Sequence, residues 1–215
     1  MTQHSTPVFS TVGIVGTGAM GRGIAQIAAQ AGSRVVLFDA APDAANKART
    51  AISQQWTKLV EKGRVTEFEA ASRAARLHVA HSAHDLAGCD LVVEAIVENL
   101  KVKQTVLSEI EAIVNSDAVL VSNTSSLSVT AIAAGLKRQA QFAGYHFFNP
   151  VPLMKVVEVI AGLKTDPAVC KKLADFAVQM GHKELQATDT PGFIVNHAGR
   201  GFGTEALRIV SEGVA

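Results

Sequence analysis

The chain has 215 residues, 48% apolar and 18% charged, with a formal net charge of +1. This composition allows a large buried core, and the interspersed charges leave no basic run for a nucleic acid or an anionic membrane, so we expect neither partner. Two cysteines without CxxC spacing favour a reducing, cytoplasmic location. The opening MTQHSTPVFS lacks the basic and apolar regions of an export signal, and no apolar run reaches the roughly 18 residues of a membrane span.

Short strand-like runs alternate with longer helical runs along the chain. Residues 11–16 predict a strand, 19–32 a helix that ends at Gly32, and 34–39 a second strand, which together form a βαβ unit. The later elements are a helix over 42–62, the segment 65–77, strands over 77–82 and 90–96, a helix over 101–115, a strand over 118–124, a short helix over 129–136 and a strand over 141–148. Apolar strands separated by helices predict a doubly wound, mostly parallel α/β sheet with helices on both faces.

A glycine-rich turn joins the first predicted strand to the first predicted helix. It reads Gly16-Thr17-Gly18-Ala19-Met20-Gly21. Gly16 allows a tight turn, Gly18 allows close approach of a pyrophosphate, and Gly21 allows helix and strand to pack closely. We therefore expect Gly16 and residues 18–21 to bind a dinucleotide on a Rossmann-type sheet, with a purely structural turn as the alternative. Asp39 ends the next strand, where a carboxylate can accept the adenosine ribose hydroxyls, and no Arg follows it, so NAD is favoured over NADP.

A second polar group falls in YHFFNPVPLMKVVEVI, residues 145–160, where His146 and Glu158 stand among mostly apolar positions. A strand end at His146, an NPVP turn and a returning strand could bring the two side chains together. His suits the removal of a hydroxyl proton near neutral pH, and a carboxylate on its other ring nitrogen fixes the tautomer. A catalytic pair is one interpretation, and a structural His and Glu with satisfied hydrogen bonds is the other.

Five segments together carry a resemblance to a known family. In chain order they are VGIVGTGAMGRGIAQ, DLVVEAIVENLKVK, SNTSSL, FAGYHFFNPVPLMKVVEVI and DTPGFIVN. Their content and order are similar to those of the NAD-binding domain of the L-3-hydroxyacyl-CoA dehydrogenases, which also occurs within bifunctional fatty-acid oxidation proteins. The resemblance implies NAD-dependent oxidation of the 3-hydroxyl of a (3S)-3-hydroxyacyl-CoA to the 3-oxoacyl-CoA.

The resemblance also implies roles for residues near the reacting atoms. It implies that His146 and Glu158 form a catalytic dyad, that Ser125 contacts the substrate oxygen, and that Asn196 is a second polarising donor to the substrate. Asn149 resembles the family's nicotinamide-side contact. The residue types alone leave alternatives open, since Ser125 could cap a short helix, as Ser126 or Ser128 could, and either Asn could fix a turn.

Other implied contacts lie further from the reaction. Glu98 and Lys103 match cofactor-side positions of the family, although an exposed Glu and Lys at a helix start would look the same. Lys62 aligns with a lysine that contacts the acyl-CoA substrate, whereas a lysine in VEKGR is ordinarily a solvated helix end. Gln55 stands where the family has a serine, which weakens any detailed CoA assignment.

The segment after Asn196 departs from the family pattern. His197 stands where relatives carry Arg, and Gly199, Gly201 and Gly203 follow. Each Gly inside a helix costs about 1 kcal/mol relative to Ala, so we expect a close-packed or locally broken helix. We expect an NAD-binding domain over 1–190, and over 191–215 the start of a helical C-terminal domain or a linking helix whose remainder is absent from this chain. The resemblance implies a homodimer through that helical domain.

Other patterns carry less weight. His78, His81 and His84 have ligand-like spacing but lie across a strand end, so no metal site is expected. Cys89 is interpreted as a packing residue rather than a nucleophile.

Two rival functions remain. One is a dehydrogenase of a non-CoA hydroxy acid such as L-gulonate or carnitine, against which the Phe-Phe pair after His146 argues. The other is an NAD-binding module without turnover.

Overall fold

A computed structural model describes residues 6–214. Residues 1–5, used above to judge an export signal, and Ala215, the last residue of the expected C-terminal helix, lie outside the described residues. The strands and helices, in chain order, are β1 (Thr11–Val15), α1 (Ala19–Gln30), β2 (Arg34–Phe38), α2 (Ala44–Glu61), α3 (Glu67–Ala74), β3 (Leu77–Val79), β4 (Leu91–Glu94), α4 (Leu100–Ile113), β5 (Val119–Ser122), α5 (Val129–Ala133), β6 (Phe142–Phe147), β7 (Val156–Ala161), α6 (Pro167–Gln179), β8 (Lys183–Thr188) and α7 (Val195–Ser211).

The strands form one sheet in the order β3-β2-β1-β4-β5-β6-β7-β8. Strands β1 to β6 pair in parallel, β7 runs antiparallel to β6, and β8 runs parallel to β7. This topology confirms the expected doubly wound, mostly parallel sheet. The pattern of KELQAT did not predict β8, because an edge strand has one neighbouring strand and keeps polar residues that a central strand would exclude.

Each face of the sheet has its own hydrophobic core. On one face Ile24 of α1, Trp56 of α2 and Leu173 of α6 pack against the strands. On the other face the core contains Leu107 of α4 and Ile132 of α5. Burial of these apolar side chains is the main favourable contribution to folding. The loops at the carboxyl ends of β1, β4, β5 and β6 meet at one edge, where an α/β sheet places its ligand.

Helix α7 is continuous through its glycines, so the expectation of a broken helix was wrong. Close packing is not found either, because, apart from neighbouring residues and the nearby backbone of α7, no described atom lies within 4 Å of a Cβ built at Gly199, Gly201 or Gly203. Phe202, on the same helix, is 82% exposed, and further exposed apolar side chains follow it. Within the described range, no helix is both long and apolar enough to cross a bilayer.

Trp56 supplies a test of the core beneath α2. Its side chain is fully buried, and its indole Nε1 has no hydrogen-bond partner among the described residues. A buried donor without a partner is costly, so Trp56→Phe should lower the free energy of unfolding by about 1 kcal/mol or less, because the lost volume is offset by removal of that donor. Trp56→Ala should cost about 3 to 5 kcal/mol. Urea unfolding followed by far-ultraviolet circular dichroism measures both, and equal losses would show that Nε1 is satisfied.

Candidate active site

The glycine turn lies between the end of β1 and the start of α1. Gly16 has a φ of +91°, in the left-handed region that favours glycine, and its N–H donates to the Phe38 carbonyl over 2.9 Å. A Cβ at Gly21 would collide with the Gly16 carbonyl, so the third glycine is required for close packing. Gly18 is the N-cap of α1 without a side chain to cap it, and a Cβ there would face open space. The helix N–H groups are therefore available to a phosphate.

Asp39 closes the same turn at the end of β2. Its Oδ2 accepts from Thr17 N over 2.6 Å and from Thr17 Oγ1 over 2.8 Å, and its Oδ1 accepts from Ala41 N over 2.9 Å. Partial burial by itself raises the pKa of Asp39, but these hydrogen bonds outweigh it and the pKa is lowered. Three donors occupy three of about four acceptor positions of the carboxylate. Acceptance from both ribose hydroxyls therefore requires the Thr17 hydroxyl to rotate away.

A cavity of about 500 Å³ opens beside this turn, lined by Gly16, Gly18, Asp39 and Ile96 among others. A second cavity of about 380 Å³ adjoins it and shares Ala95 and Ile96 as lining residues. Together they form a groove along the carboxyl edge of the sheet. The glycine turn, the free helix N-terminus and the Asp39 carboxylate along this groove fit a bound NAD.

His146 and Glu158 lie directly opposite each other on the antiparallel strands β6 and β7. His146 Nδ1 is 2.7 Å from Glu158 Oε2, and both side chains are buried, at 5% and 0% exposed. A carboxylate can only accept, so Nδ1 carries a proton, and in the neutral ring Nε2 keeps its lone pair. The structure thus joins the two residues that the sequence singled out.

The other oxygen of Glu158 binds the start of α7. Glu158 Oε1 accepts from Ile194 N over 2.9 Å and from Val195 N over 2.8 Å. Phe193, just before them, is buried with a φ of +50°, and its ring centroid lies 5.7 Å from that of His146. An aromatic residue rarely adopts this conformation, so the surrounding contacts must hold it there. The carboxylate is fixed from both sides.

The second cavity brings most of the predicted site residues together. Those that line it are Met20, Glu98, Ser125, His146, Asn149 and Asn196. Asn196 Nδ2 donates to the Ser125 carbonyl over 3.4 Å, so the end of the β5 loop and the start of α7 are in contact. Ser128, not Ser125, is the N-cap of α5, because its side chain accepts from Ala131 N. The cap interpretation is therefore wrong for Ser125.

Lys103 does not line either cavity. Its side chain is 1% exposed, and Nζ lies 2.6 Å from Glu94 Oε1 and 3.3 Å from Glu98 Oε2. Its burial rules out the exposed-helix interpretation, and its ion pair with Glu98 connects it to the wall of the second cavity. Its contact with the cofactor stays a prediction. Glu98 Oε1 in turn accepts from Thr124 Oγ1 over 2.6 Å and from Ser125 N over 3.0 Å.

Lys62, which the resemblance implies for CoA, and Gln55, which departs from the family there, lie in different places. Gln55 lines a cavity of about 250 Å³ between α1, α2 and the turn after β6, and Asn149 is shared with the second cavity. Lys62 is the C-cap of α2, is exposed, and lines none of the cavities described here. Its contact with CoA stays a prediction.

Asp189 is a site-supporting residue that the sequence reading missed. Its carboxylate accepts from Ser128 Oγ, Val129 N and Thr130 N, each over 2.8 Å, and so ties the loop after β8 to the start of α5. Partial burial raises its pKa, but hydrogen bonds from Thr130, Ser128 and Val129 outweigh it and the pKa is lowered. The motif DTPGF was a signal, since Asp before a turn often caps a neighbouring backbone.

Glu94 and Asn123 were also missed. Glu94 is fully buried, and Asn123 Oδ1 accepts from Phe147 N over 2.9 Å. A Glu inside the apolar run DLVVEAI was the available signal, because a buried carboxylate requires a partner.

Two other interpretations concern chemistry away from the groove. Burial, with the nearby Asp90 charge, raises the pKa of Cys89 to about 12, which agrees with a packing role. Among residues 6–214, no three His, Cys, Asp or Glu side chains are grouped so that they could hold a metal ion.

A dinucleotide groove beside a buried His–Glu pair defines the class of an NAD-dependent oxidoreductase acting on an alcohol. Residues 11–190 match the family described as "3-hydroxyacyl-CoA dehydrogenase, NAD binding domain". A probable 3-hydroxybutyryl-CoA dehydrogenase of Deinococcus radiodurans is 41% identical over 94% of this chain and 73% of its own length. The 3-hydroxyadipyl-CoA dehydrogenase of Escherichia coli is 39% identical over 95% of this chain and 43% of its own length.

Solved structures agree with these relatives. The (S)-3-hydroxybutyryl-CoA dehydrogenase of Ralstonia eutropha superposes with a TM-score of 0.92 and 39% identity, over 96% of this chain and 73% of that one. This chain belongs to the 3-hydroxyacyl-CoA dehydrogenase family and contains its NAD-binding domain. The resemblance drawn from the five motifs is confirmed, and so are NAD as cofactor and the oxidoreductase class.

The Asp189 contacts predict a pH-dependent stability. Because the folded pKa is lowered, the carboxylate stabilises the fold above its unfolded pKa of about 4, and this contribution is lost as the pH falls through the folded value. Asp189→Asn should therefore lower the free energy of unfolding by about 1 to 2 kcal/mol at pH 7 and by much less at pH 3. Urea unfolding at both pH values measures the difference, with the exposed Asp175→Asn as control. A loss that is equal at both pH values would contradict the prediction.

Proposed function

We propose that the chain catalyses the NAD-dependent oxidation of the 3-hydroxyl of a (3S)-3-hydroxyacyl-CoA to the 3-oxoacyl-CoA. The observation that supports this most directly is the 2.7 Å contact between His146 Nδ1 and Glu158 Oε2 beside the cavity that Ser125 and Asn196 also line. The names of the family and of its relatives supply the acyl-CoA class.

In this proposal His146 is the general base. Its Nδ1 donates to Glu158, so the lone pair of Nε2 is available to remove the proton of the 3-hydroxyl. The imidazolium that forms is stabilised by the charge of Glu158, whose second oxygen is held by two backbone N–H groups. The groove beside the glycine turn and Asp39 would hold NAD, which would supply the hydride acceptor. The ring position is further restricted by Phe148 and Phe193, whose ring centroids lie 4.5 and 5.7 Å from that of His146.

Ser125 and Asn196 are proposed to hold the substrate oxygen. Both line the His146 cavity, one from the loop after β5 and the other from the first turn of α7. A hydroxyl and an amide can each donate to the oxygen as it becomes a carbonyl, which helps to place it near the base. Asn149, which lines the same cavity, is proposed as the nicotinamide-side contact. The turn of residues 16–21 with Asp39 is proposed as the site for the adenosine half.

The remaining assignments are broader proposals. The acyl part of the relatives' names differs between hydroxybutyryl and hydroxyadipyl, so the substrate is stated only as an acyl-CoA. Homodimerisation through helical structure, and a division into an NAD-binding part over 1–190 and a helical part over 191–215, are supported by the exposed Phe202, Leu207 and Val210 of α7. A cytoplasmic location is proposed from the composition alone.

The first test of this function concerns the base. His146→Gln should lower kcat for 3-hydroxybutyryl-CoA by about 100-fold or more, because the proposed general base is lost, while the Kd for NADH changes by no more than a few-fold. Glu158→Gln should also lower kcat and move its pH profile, because the imidazolium loses its charge partner. Steady-state kinetics and fluorescence titration give both quantities. The exposed His84→Gln is the control, and a His146→Gln enzyme with near-normal kcat would refute the assignment.

The second test concerns cofactor choice. NADPH should bind at least about tenfold more weakly than NADH, because its 2′-phosphate would meet the ionised Asp39 rather than an Arg. Asp39→Asn should narrow this ratio, whereas Asp117→Asn, an exposed change of the same charge before β5, should leave it unchanged. Titration of protein fluorescence with both cofactors measures the ratio. Equal dissociation constants in the unchanged protein would remove Asp39 from the ribose site.

A further inference from the structure

A buried ionic network lies behind the wall of the His146 cavity. Glu94 at the end of β4 and Ser122 at the end of β5 are paired in register, and both are fully buried. Glu94 Oε2 accepts from Ser122 Oγ over 2.6 Å, and Glu94 Oε1 accepts from Ile96 N over 2.7 Å and from Lys103 Nζ over 2.6 Å. Glu94 therefore accepts three hydrogen bonds, one of them from the Lys103 ammonium.

The network reaches the cavity through Glu98. Lys103 Nζ lies 3.3 Å from Glu98 Oε2, so one ammonium stands between two carboxylates. Glu98 Oε1 accepts from Thr124 Oγ1 and from Ser125 N, and its side chain, 37% exposed, lines the cavity. Burial of two opposite charges is costly unless they are closely paired. Of the two carboxylates, only Glu94 is fully buried with the Lys103 ammonium, whereas Glu98 is partly exposed.

The charges of the network do not cancel. Glu94 and Glu98 contribute two negative charges and Lys103 one positive charge, which leaves an excess of one negative charge. Burial alone raises the pKa of Glu98, but the hydrogen bond from Thr124 and the charge of Lys103 outweigh it, and the pKa is lowered. The excess charge is therefore retained at neutral pH and lies at the cavity wall.

We propose that Glu94 and Lys103 are positioning residues that keep this excess negative charge on Glu98 at the cavity wall, where it favours the oxidised over the reduced cofactor. This inference rests on the proposed function, in which the nicotinamide ring occupies the cavity. That ring carries a positive charge in NAD⁺ and none in NADH. A fixed charge beside a partly desolvated ring therefore acts on one redox form and hardly on the other.

A purely structural network would behave differently. If Glu94, Lys103 and Glu98 only held the loop of Ser125 in place, their loss would weaken the binding of both cofactor forms to the same extent. The ratio of the two dissociation constants therefore separates the electrostatic role from the structural role.

The experiment measures Kd for NAD⁺ and for NADH on the unchanged chain and on two isosteric variants, Glu98→Gln and Glu94→Gln. Each variant removes one negative charge. Glu98→Gln should weaken NAD⁺ relative to NADH by about 5- to 10-fold, the scale of losing one charge near a partly buried cation. Glu94→Gln should change the ratio in the same direction by a smaller factor. The exposed Glu109→Gln of α4 changes the same charge outside the network and should leave the ratio unchanged.

A double variant tests the charge itself. Glu94→Gln combined with Lys103→Met restores the excess of one negative charge on Glu98, so the ratio should return toward that of the unchanged chain even if both affinities fall. If Glu94→Gln fails to fold, as judged by circular dichroism, the ratio of the two dissociation constants in Glu98→Gln and in the double variant still tests the inference. A ratio that stays within twofold in Glu98→Gln would overturn the inference. Failure of the unchanged chain to bind NADH would instead count against the proposed function.

Discussion

The contact between Glu158 and its three partners is the interaction on which the active site depends. One carboxylate oxygen faces Nδ1 of His146, and the other accepts two N–H groups at the start of α7. A buried carboxylate with only one of these partners would be strongly destabilised, so the base, the second strand and the helix start are fixed together. The sheet makes this possible because β7 runs antiparallel to β6, which places His146 directly opposite Glu158.

Parallel strands provide the rest of the site in a different way. The ends of β1, β4 and β5 meet at one edge, so the glycine turn, Glu98 and Ser125 reach a common groove although they are far apart in the chain. The cofactor groove thus requires β1, β4 and β5 to be neighbours in the sheet. The catalytic pair instead requires β7 to run antiparallel to β6. The loop between β8 and α7 connects the region after β5 with the catalytic pair. Its Asp189 accepts a hydrogen bond at the start of α5, and its Phe193 packs on His146.

The sequence predicted the parts of the site whose chemistry is local. The glycine turn followed from its spacing, and the His146–Glu158 pair followed from residue types that are unusual in an apolar run. The resemblance implied a cofactor-side position for Lys103, with a solvated lysine at a helix start as the alternative. Its burial was not predicted, because it depends on the three-dimensional position of Glu94. Asp189 acts on residues about 60 positions away, which no local pattern encodes. The glycines of α7 suggested a break, yet intrahelical hydrogen bonds form through them, since helix propensity is a weak preference.

The register between β6 and β7 has a consequence for how this region can change. Side chains of a strand alternate between the two faces, and on β6 Tyr145 and Phe147 pack into the core that contains α1 and α6 while His146 faces the other side. Insertion or deletion of a single residue between positions 147 and 157 would therefore have to be absorbed in the turn, since a slip of one position would exchange His146 with a core aromatic ring. The catalytic pair therefore restricts this region to changes that preserve the register of β6 and β7.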